Sequence, residues 1–123
     1  MVQLEKATKI KIDLLLICGD FQSTRDHNDL DHMHCPPKYK QMGSFNDYFT
    51  GKKKAPFLTI FIGGNHEAVN YLRNLYFGGW VAEKIYYLGQ SGSIYVRKGN
   101  TRIRITGISG IYNHRDFQYI TKM

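Results

Sequence analysis

The sequence predicts an α/β layered domain, and three features carry that reading. Two apolar runs each close on glycine followed by polar side chains able to bind a metal. A stretch with helical spacing lies between them. A period-two pattern broken by Lys98-Gly99-Asn100 follows further on. The first run is Ile12 to Cys18, closed by Gly19-Asp20. A continuous apolar run of this length, ended by glycine, is the pattern of a strand buried on both faces, and Cys18 within it reads as a small buried hydrophobe. In the connection Phe21 to Pro56, Pro36-Pro37 makes a division. After it, Tyr39, Met42, Phe45 and Phe49 recur at helical spacing up to Gly51, which predicts an amphipathic helix. The second run is Phe57 to Ile62, closed by Gly63-Gly64-Asn65-His66. Two such strands joined through a helix make a parallel βαβ unit. Ala68, Tyr71, Leu72 and Leu75 predict a further helix that ends before Gly78-Gly79. Ile94 and Val96, then Ile103 and Ile105, alternate with polar residues and predict a β-hairpin turning at Lys98-Gly99-Asn100.

Length and composition narrow the function classes. A chain of 123 residues fits one domain, and its nine Tyr and seven Phe argue against disorder. The net charge of +7 and a pI near 9.5 favour an anionic partner, nucleic acid first. Cys18 and Cys35 make no disulfide framework, which points to a reducing compartment, cytosol or nucleus. No apolar stretch is long enough to span a membrane. The segment Met1 to Lys11 carries charges of both signs and lacks the apolar region of a signal peptide.

In open α/β sheets, ligands gather at the carboxyl ends of the strands. There the first run offers the Asp20 carboxylate, and the second offers the Asn65 amide, the His66 imidazole and the Glu67 carboxylate. Glycines at both ends permit tight turns and close approach of a phosphate to the backbone. A carboxylate can bridge two divalent cations, whereas an amide oxygen or an imidazole ligates one. A two-metal centre can clamp the attacking and leaving oxygens of a phosphoryl displacement. On this reading Asp20 and Asn65 are metal ligands and His66 faces the phosphate. A turn is the plain alternative for Gly19-Asp20 taken alone.

Gly19-Asp20 followed by Gly64-Asn65-His66-Glu67 looks like the calcineurin-like metallophosphoesterase superfamily. The segments Asp13–Gln22, Pro36–Tyr39, Lys53–Pro56, Phe61–Ala68, Gly78–Ala82, Ile85–Gly89 and Gly107–Ile111 resemble, more narrowly, the RNA lariat debranching enzymes, and the resemblance runs from about Ile12 to Phe117. It implies a metallophosphoesterase layered sandwich, with mixed β-sheets flanked by helices. It also implies hydrolysis of the 2′–5′ phosphodiester at the branch point of excised intron lariats, in the nucleus, with Fe, Zn or Mn as the divalent metal. Asp20 matches the metal-bridging aspartate and Asn65 an amide ligand. His66 matches the catalytic histidine that contacts the scissile phosphate. Glu67 has no assigned role beyond capping the helix that follows. The family's opening strand with its Cys-x-His segment, and its further metal-binding histidines, have no match in this sequence. The expectation is therefore a partial domain, a fragment or truncated product lacking the first strand and the C-terminal part, with an unpaired sheet edge that favours aggregation. Two other readings stand beside the enzyme: a catalytically inactive RNA-binding remnant, and a phosphoesterase for another substrate.

The remaining polar clusters have both bland and functional readings. His27, His32, His34 and Cys35 could ligate zinc, but the spacing matches no standard finger, and an exposed polar connection is the plainer reading. Lys52-Lys53-Lys54 is a solvated turn after a helix or a phosphate contact. Arg102 and Arg104 share one face of the hairpin, which is either solvated or meets RNA. Trp80, Tyr86 and Tyr87 are core residues or base-stacking platforms. His114 and Asp116 read as a surface loop.

Overall fold

The computed structural model describes residues 1–33 and 35–114. Their elements are α1 (Val2–Thr8), β1 (Leu14–Ile17), α2 (His27–Asp31), α3 (Phe45–Phe49), β2 (Leu58–Phe61), α4 (Val69–Asn74), β3 (Gly79–Ala82), β4 (Ile85–Tyr87), β5 (Ser91–Lys98) and β6 (Thr101–Ile108). The first four strands form one sheet in the order β1-β2-β4-β3, and β5 and β6 form a second. β1 runs parallel to β2 with Leu14 beside Leu58 and Ile17 beside Phe61, so the expected βαβ unit is present and both strands deliver their carboxyl ends to the same edge. β4 extends the parallel set, and β3 closes it antiparallel. The mixed sheet, second sheet and flanking helices make the layered α/β architecture that the sequence predicts.

The core sits between the first sheet and α3 and α4. It gathers Phe45, Ala55, Phe61, Leu72, Val81, Ile85 and Tyr87. Phe21 joins it by stacking on Phe61 with ring centroids 4.3 Å apart and meeting Phe45 edge-on at 5.7 Å. Such aromatic pairs add about 0.5–1.5 kcal/mol beyond burial. Here they anchor the residue that follows Asp20. The hairpin turns where expected, with Lys98 opposite Thr101 and Gly99 at φ +59°, a backbone setting that favours glycine. At its base the hairpin meets the end of β2, where a Cβ on Gly107 would stand 2.8 Å from Ile62 Cγ2.

The structure departs from the sequence reading at several points. β1 is not buried on both faces: Leu16 is 50% exposed and Cys18 is exposed. β1 borders only β2 and is the edge strand of the described sheet, so nothing there covers its far flank. The long helix expected from Tyr39 to Phe49 is a 3-10 turn at Pro37–Tyr39 and a separate α3. Gly43 weakens the helical run, and Ser44 stands at the N-cap of α3. β3 and β4 have no counterpart in the sequence reading. They are only 4 and 3 residues long, too short for a period to show. Of their aromatics, Tyr87 is buried, whereas Trp80 lies exposed on the edge strand against Tyr86, with ring centroids 5.1 Å apart. α1 and α2 are likewise short helices, with Asp26 capping α2 through Asp29 N at 2.9 Å. His34 and Asp116 lie outside the described residues.

Candidate active site

Two loops meet backbone to backbone at the carboxyl ends of β1 and β2. Gly19 has φ +124° and Asp20 φ +51°, a left-handed setting that Asp tolerates better than most residues. A Cβ on Gly64 would stand 2.2 Å from Asp20 Oδ1 and 2.6 Å from Asp20 N, so only glycine lets the second loop pass the first. The crossing brings together the three residues singled out by sequence. His66 N donates to Asp20 Oδ1 at 3.1 Å, and His66 Nδ1 lies 3.1 Å from Asp20 Oδ2. Asn65 Nδ2 lies 3.1 Å from His66 Nε2. All three side chains face solvent at one exposed edge. The backbone N–H of His66 holds the Asp20 carboxyl below the usual carboxylate range; slight burial opposes this, and the His66 imidazole adds to it.

Behind the exposed trio sits a buried clasp that sequence reading missed. Glu67 is 4% exposed and does not cap a helix, since α4 begins at Val69 after Ala68. Its Oε1 accepts from Phe21 N at 3.0 Å and Gly64 N at 2.9 Å, and its Oε2 accepts from Gln22 N at 2.9 Å. One side chain therefore ties the Asp20 loop to the Asn65–His66 loop. Burial pushes the Glu67 carboxyl up, against the pull of those N–H groups. Only Gly64, three residues before Glu67, is a local partner, and the other two lie far off in sequence. On the other side, Ser109 Oγ accepts from Gly63 N at 2.9 Å and donates to the Gly89 carbonyl at 2.6 Å, while Gly110 N donates to the Gly63 carbonyl at 2.7 Å. Through these bonds the Gly107–Ile111 segment braces the start of the second loop.

A second buried carboxylate, Asp29, orders the chain after Asp20. Its oxygens accept from Arg25 N, Nε and Nη2 at 2.7–2.9 Å and from Asn70 Nδ2 at 2.8 Å, linking α2 to α4. The Arg25 guanidinium lies 3.8 Å from the Tyr71 ring centroid. The remaining candidates lie outside the crossing. Lys53 pairs with Asp47 at 2.7 Å and Lys54 with Glu83 at 3.0 Å, beside the exposed Lys52. Arg102 and Arg104 sit on the hairpin against Tyr95.

A carboxylate, an amide oxygen and an imidazole at one exposed edge suit a borderline divalent cation, so Asp20, Asn65 and His66 fit part of a metal's ligand sphere. Among the described residues, no group of three His, Cys, Asp or Glu side chains converges to complete it.

Glycine-bounded strand ends that carry Asp on one loop and Asn-His on its neighbour make a candidate phosphoesterase-type centre. Residues 3–122 match the family model of the calcineurin-like phosphoesterases, and the chain belongs to that family, whose members use divalent metal. Among curated proteins it is similar to lariat debranching enzyme A of Xenopus laevis, 54% identical over 115 residues that make up 94% of this chain and 21% of the relative. The lariat debranching enzyme of Drosophila melanogaster is 57% identical over 114 residues, 93% of this chain and 21% of the relative. That of Schizosaccharomyces pombe is 53% identical over 112 residues, 91% of this chain and 23% of the relative. The chain thus spans about a fifth to a quarter of the length of the curated relatives it matches.

Proposed function

We propose that this chain forms part of a metal-dependent RNA phosphodiesterase that hydrolyses the 2′–5′ branch-point bond of excised intron lariats in the nucleus. The observation that carries the reading is the crossing of Asp20 with Asn65 and His66, joined at 3.1 Å across two parallel strand ends. The lariat debranching enzymes to which the chain is similar suggest the substrate class.

Asp20 and Asn65 would hold the cation through a carboxylate and an amide oxygen, donors that suit Mn, while Fe or Zn would call for an imidazole beside them. A bound divalent cation supplies positive charge at the scissile phosphate and activates water for attack. The chain's own residues supply orientation. The His66 backbone N–H fixes the Asp20 carboxylate in place and favours its charged form. The His66 imidazole stands beside that carboxylate, within reach of a phosphate oxygen or of the leaving 2′-oxygen, to which it would pass a proton. Glu67 keeps the two loops in register from behind.

Cleavage of a synthetic 2′–5′ branched RNA by the full-length protein, with manganese, iron or zinc added in turn and then removed by chelation, tests the proposal. Release of linear RNA only with metal present is expected. Asp20→Asn should lower the rate by at least about 100-fold, the upper end of what losing a supporting partner costs a metal site. An unsubstituted protein that binds branched RNA but leaves the branch intact under every metal would reject the activity.

A further inference from the structure

We propose that the outward face of the β5–β6 hairpin is a docking platform for single-stranded RNA, engaging the substrate a few nucleotides away from the bond attacked. The choice of RNA rests on the function proposed above; the platform itself rests on the hairpin. Register places Tyr95 opposite Arg104, Arg97 opposite Arg102 and Ser93 opposite Thr106, so these six residues share one face, and all are exposed. The other face carries Ile94, Val96 and Ile105 toward the first sheet, so the polar face is the outer one.

Three observations separate this face from an ordinary solvated sheet. First, no Asp or Glu occurs from Lys84 to His114, and among the described residues no carboxylate pairs with Arg97, Arg102 or Arg104. The cation of the hairpin that does hold a carboxylate, Lys98 on Asp13, stands at the end of β5, away from Tyr95. Second, Arg97 and Arg102 stand directly opposite each other, an arrangement that destabilises a strand pair unless an anion relieves it. Third, the Arg102 and Arg104 guanidinium carbons lie 4.5 and 4.7 Å from the Tyr95 ring centroid, and Arg104 also donates to the Tyr95 hydroxyl. An aromatic ring braced by guanidiniums beside unpaired cations is the composition that takes stacked bases and phosphates together.

The placement suits a remote subsite. β6 runs from this face to Ser109, which braces the Gly63 loop of the active site. At roughly 3.3 Å per residue, Arg104 and Arg102 lie on the order of 15–25 Å along the strand from Ser109. RNA held there gains binding energy away from the reacting bond.

Binding of the full chain to a short labelled single-stranded RNA, measured by fluorescence anisotropy across a salt series, tests the platform. Each phosphate contact on a single strand contributes about 0.7 to the slope of log K against log salt, so Arg97→Gln/Arg102→Gln/Arg104→Gln should reduce that slope by about 2. The matched Arg→Lys triple should keep the slope. Tyr95→Ala should weaken RNA binding on the order of tenfold through lost stacking, and leave heparin, a polyanion without bases, bound as before. Unchanged affinity and slope in the Arg→Gln triple would overturn the platform. So would a Tyr95→Ala variant that binds RNA normally, which would indicate a surface for acidic protein instead. Cleavage is scored separately: a chain that cuts branched RNA while its hairpin variants bind RNA normally defeats the platform and leaves the enzyme reading intact. RNA binding lost in those variants of a chain that never cuts supports the platform and defeats the enzyme reading.

Discussion

Asp29 and Glu67 are both carboxylates with almost no exposure, 0% and 4%, yet their surroundings shift them in opposite directions. Burial raises both. At Asp29 the side-chain and backbone hydrogen bonds from Arg25, with Asn70 beside them, more than reverse that effect, and the carboxyl ends below its usual range. At Glu67 the donors are the backbone amides of Gly64, Gln22 and Phe21, burial prevails, and the carboxyl ends above its usual range. The difference lies in the partner and in depth, Glu67 being set deeper within the protein than Asp29. A guanidinium brings a full opposite charge, while amides bring only dipoles. Asp29 is therefore a buried ion pair that orders the loop after Asp20. Glu67 is a clasp that aligns the two loops of the candidate site.

The largest expected effect follows from breaking the ion pair. Asp29→Asn leaves Arg25 without its counter-charge and should destabilise the fold by about 3 kcal/mol, read as a lower urea midpoint; the partial exposure of Arg25 keeps the loss at the low end for such pairs. Glu67→Gln keeps one acceptor oxygen and strands no opposite charge, so the loss should be smaller, about 1–2 kcal/mol. Equal losses in the two variants would erase the distinction.

Stability against pH sharpens the same comparison. Asp29 is depressed on folding, so its contribution is present above the usual value of 3.8 and is lost as pH falls through the lower folded value. Glu67 is raised, so its contribution is present below the usual value of 4.5 and is lost as pH rises through the higher folded value. Denaturation midpoints across acidic pH should therefore lose their lower limb in Asp29→Asn and their upper slope in Glu67→Gln. The smallest effect belongs to the hairpin. Replacing Arg97, Arg102 and Arg104 with Gln should move stability by no more than about 0.5 kcal/mol, because these side chains are exposed and hold no carboxylate among the described residues.

What was legible in the sequence follows from the range of each interaction. Leu14–Ile17 and Leu58–Phe61 announce themselves by continuous apolar character, and glycine after each points to the edge where Asp20, Asn65 and His66 converge. The hairpin is equally plain, because Ile94, Val96, Ile103 and Ile105 alternate about a glycine turn. β3 and β4 are too short to leave a pattern, and the exposure of Leu16 and Cys18 goes with β1 being the edge strand of the described sheet, which the apolar character of the run does not show. The clasp at Glu67 is hidden from local reading because its partners, Phe21 and Gln22, stand 46 and 45 positions away. Asp29 does carry a local clue: Arg25 precedes it by four residues, the spacing of a helical ion pair.

Two parallel strand ends forming one cation site is the claim on which the functional reading rests. Titrating the isotope-labelled chain with manganese and following paramagnetic broadening of its NMR signals tests this directly. Asp20, Asn65 and His66 are expected to broaden together and first, and Asp20→Asn to abolish the effect at all three. Broadening that starts elsewhere, or reaches Asp20 without Asn65 and His66, would contradict it.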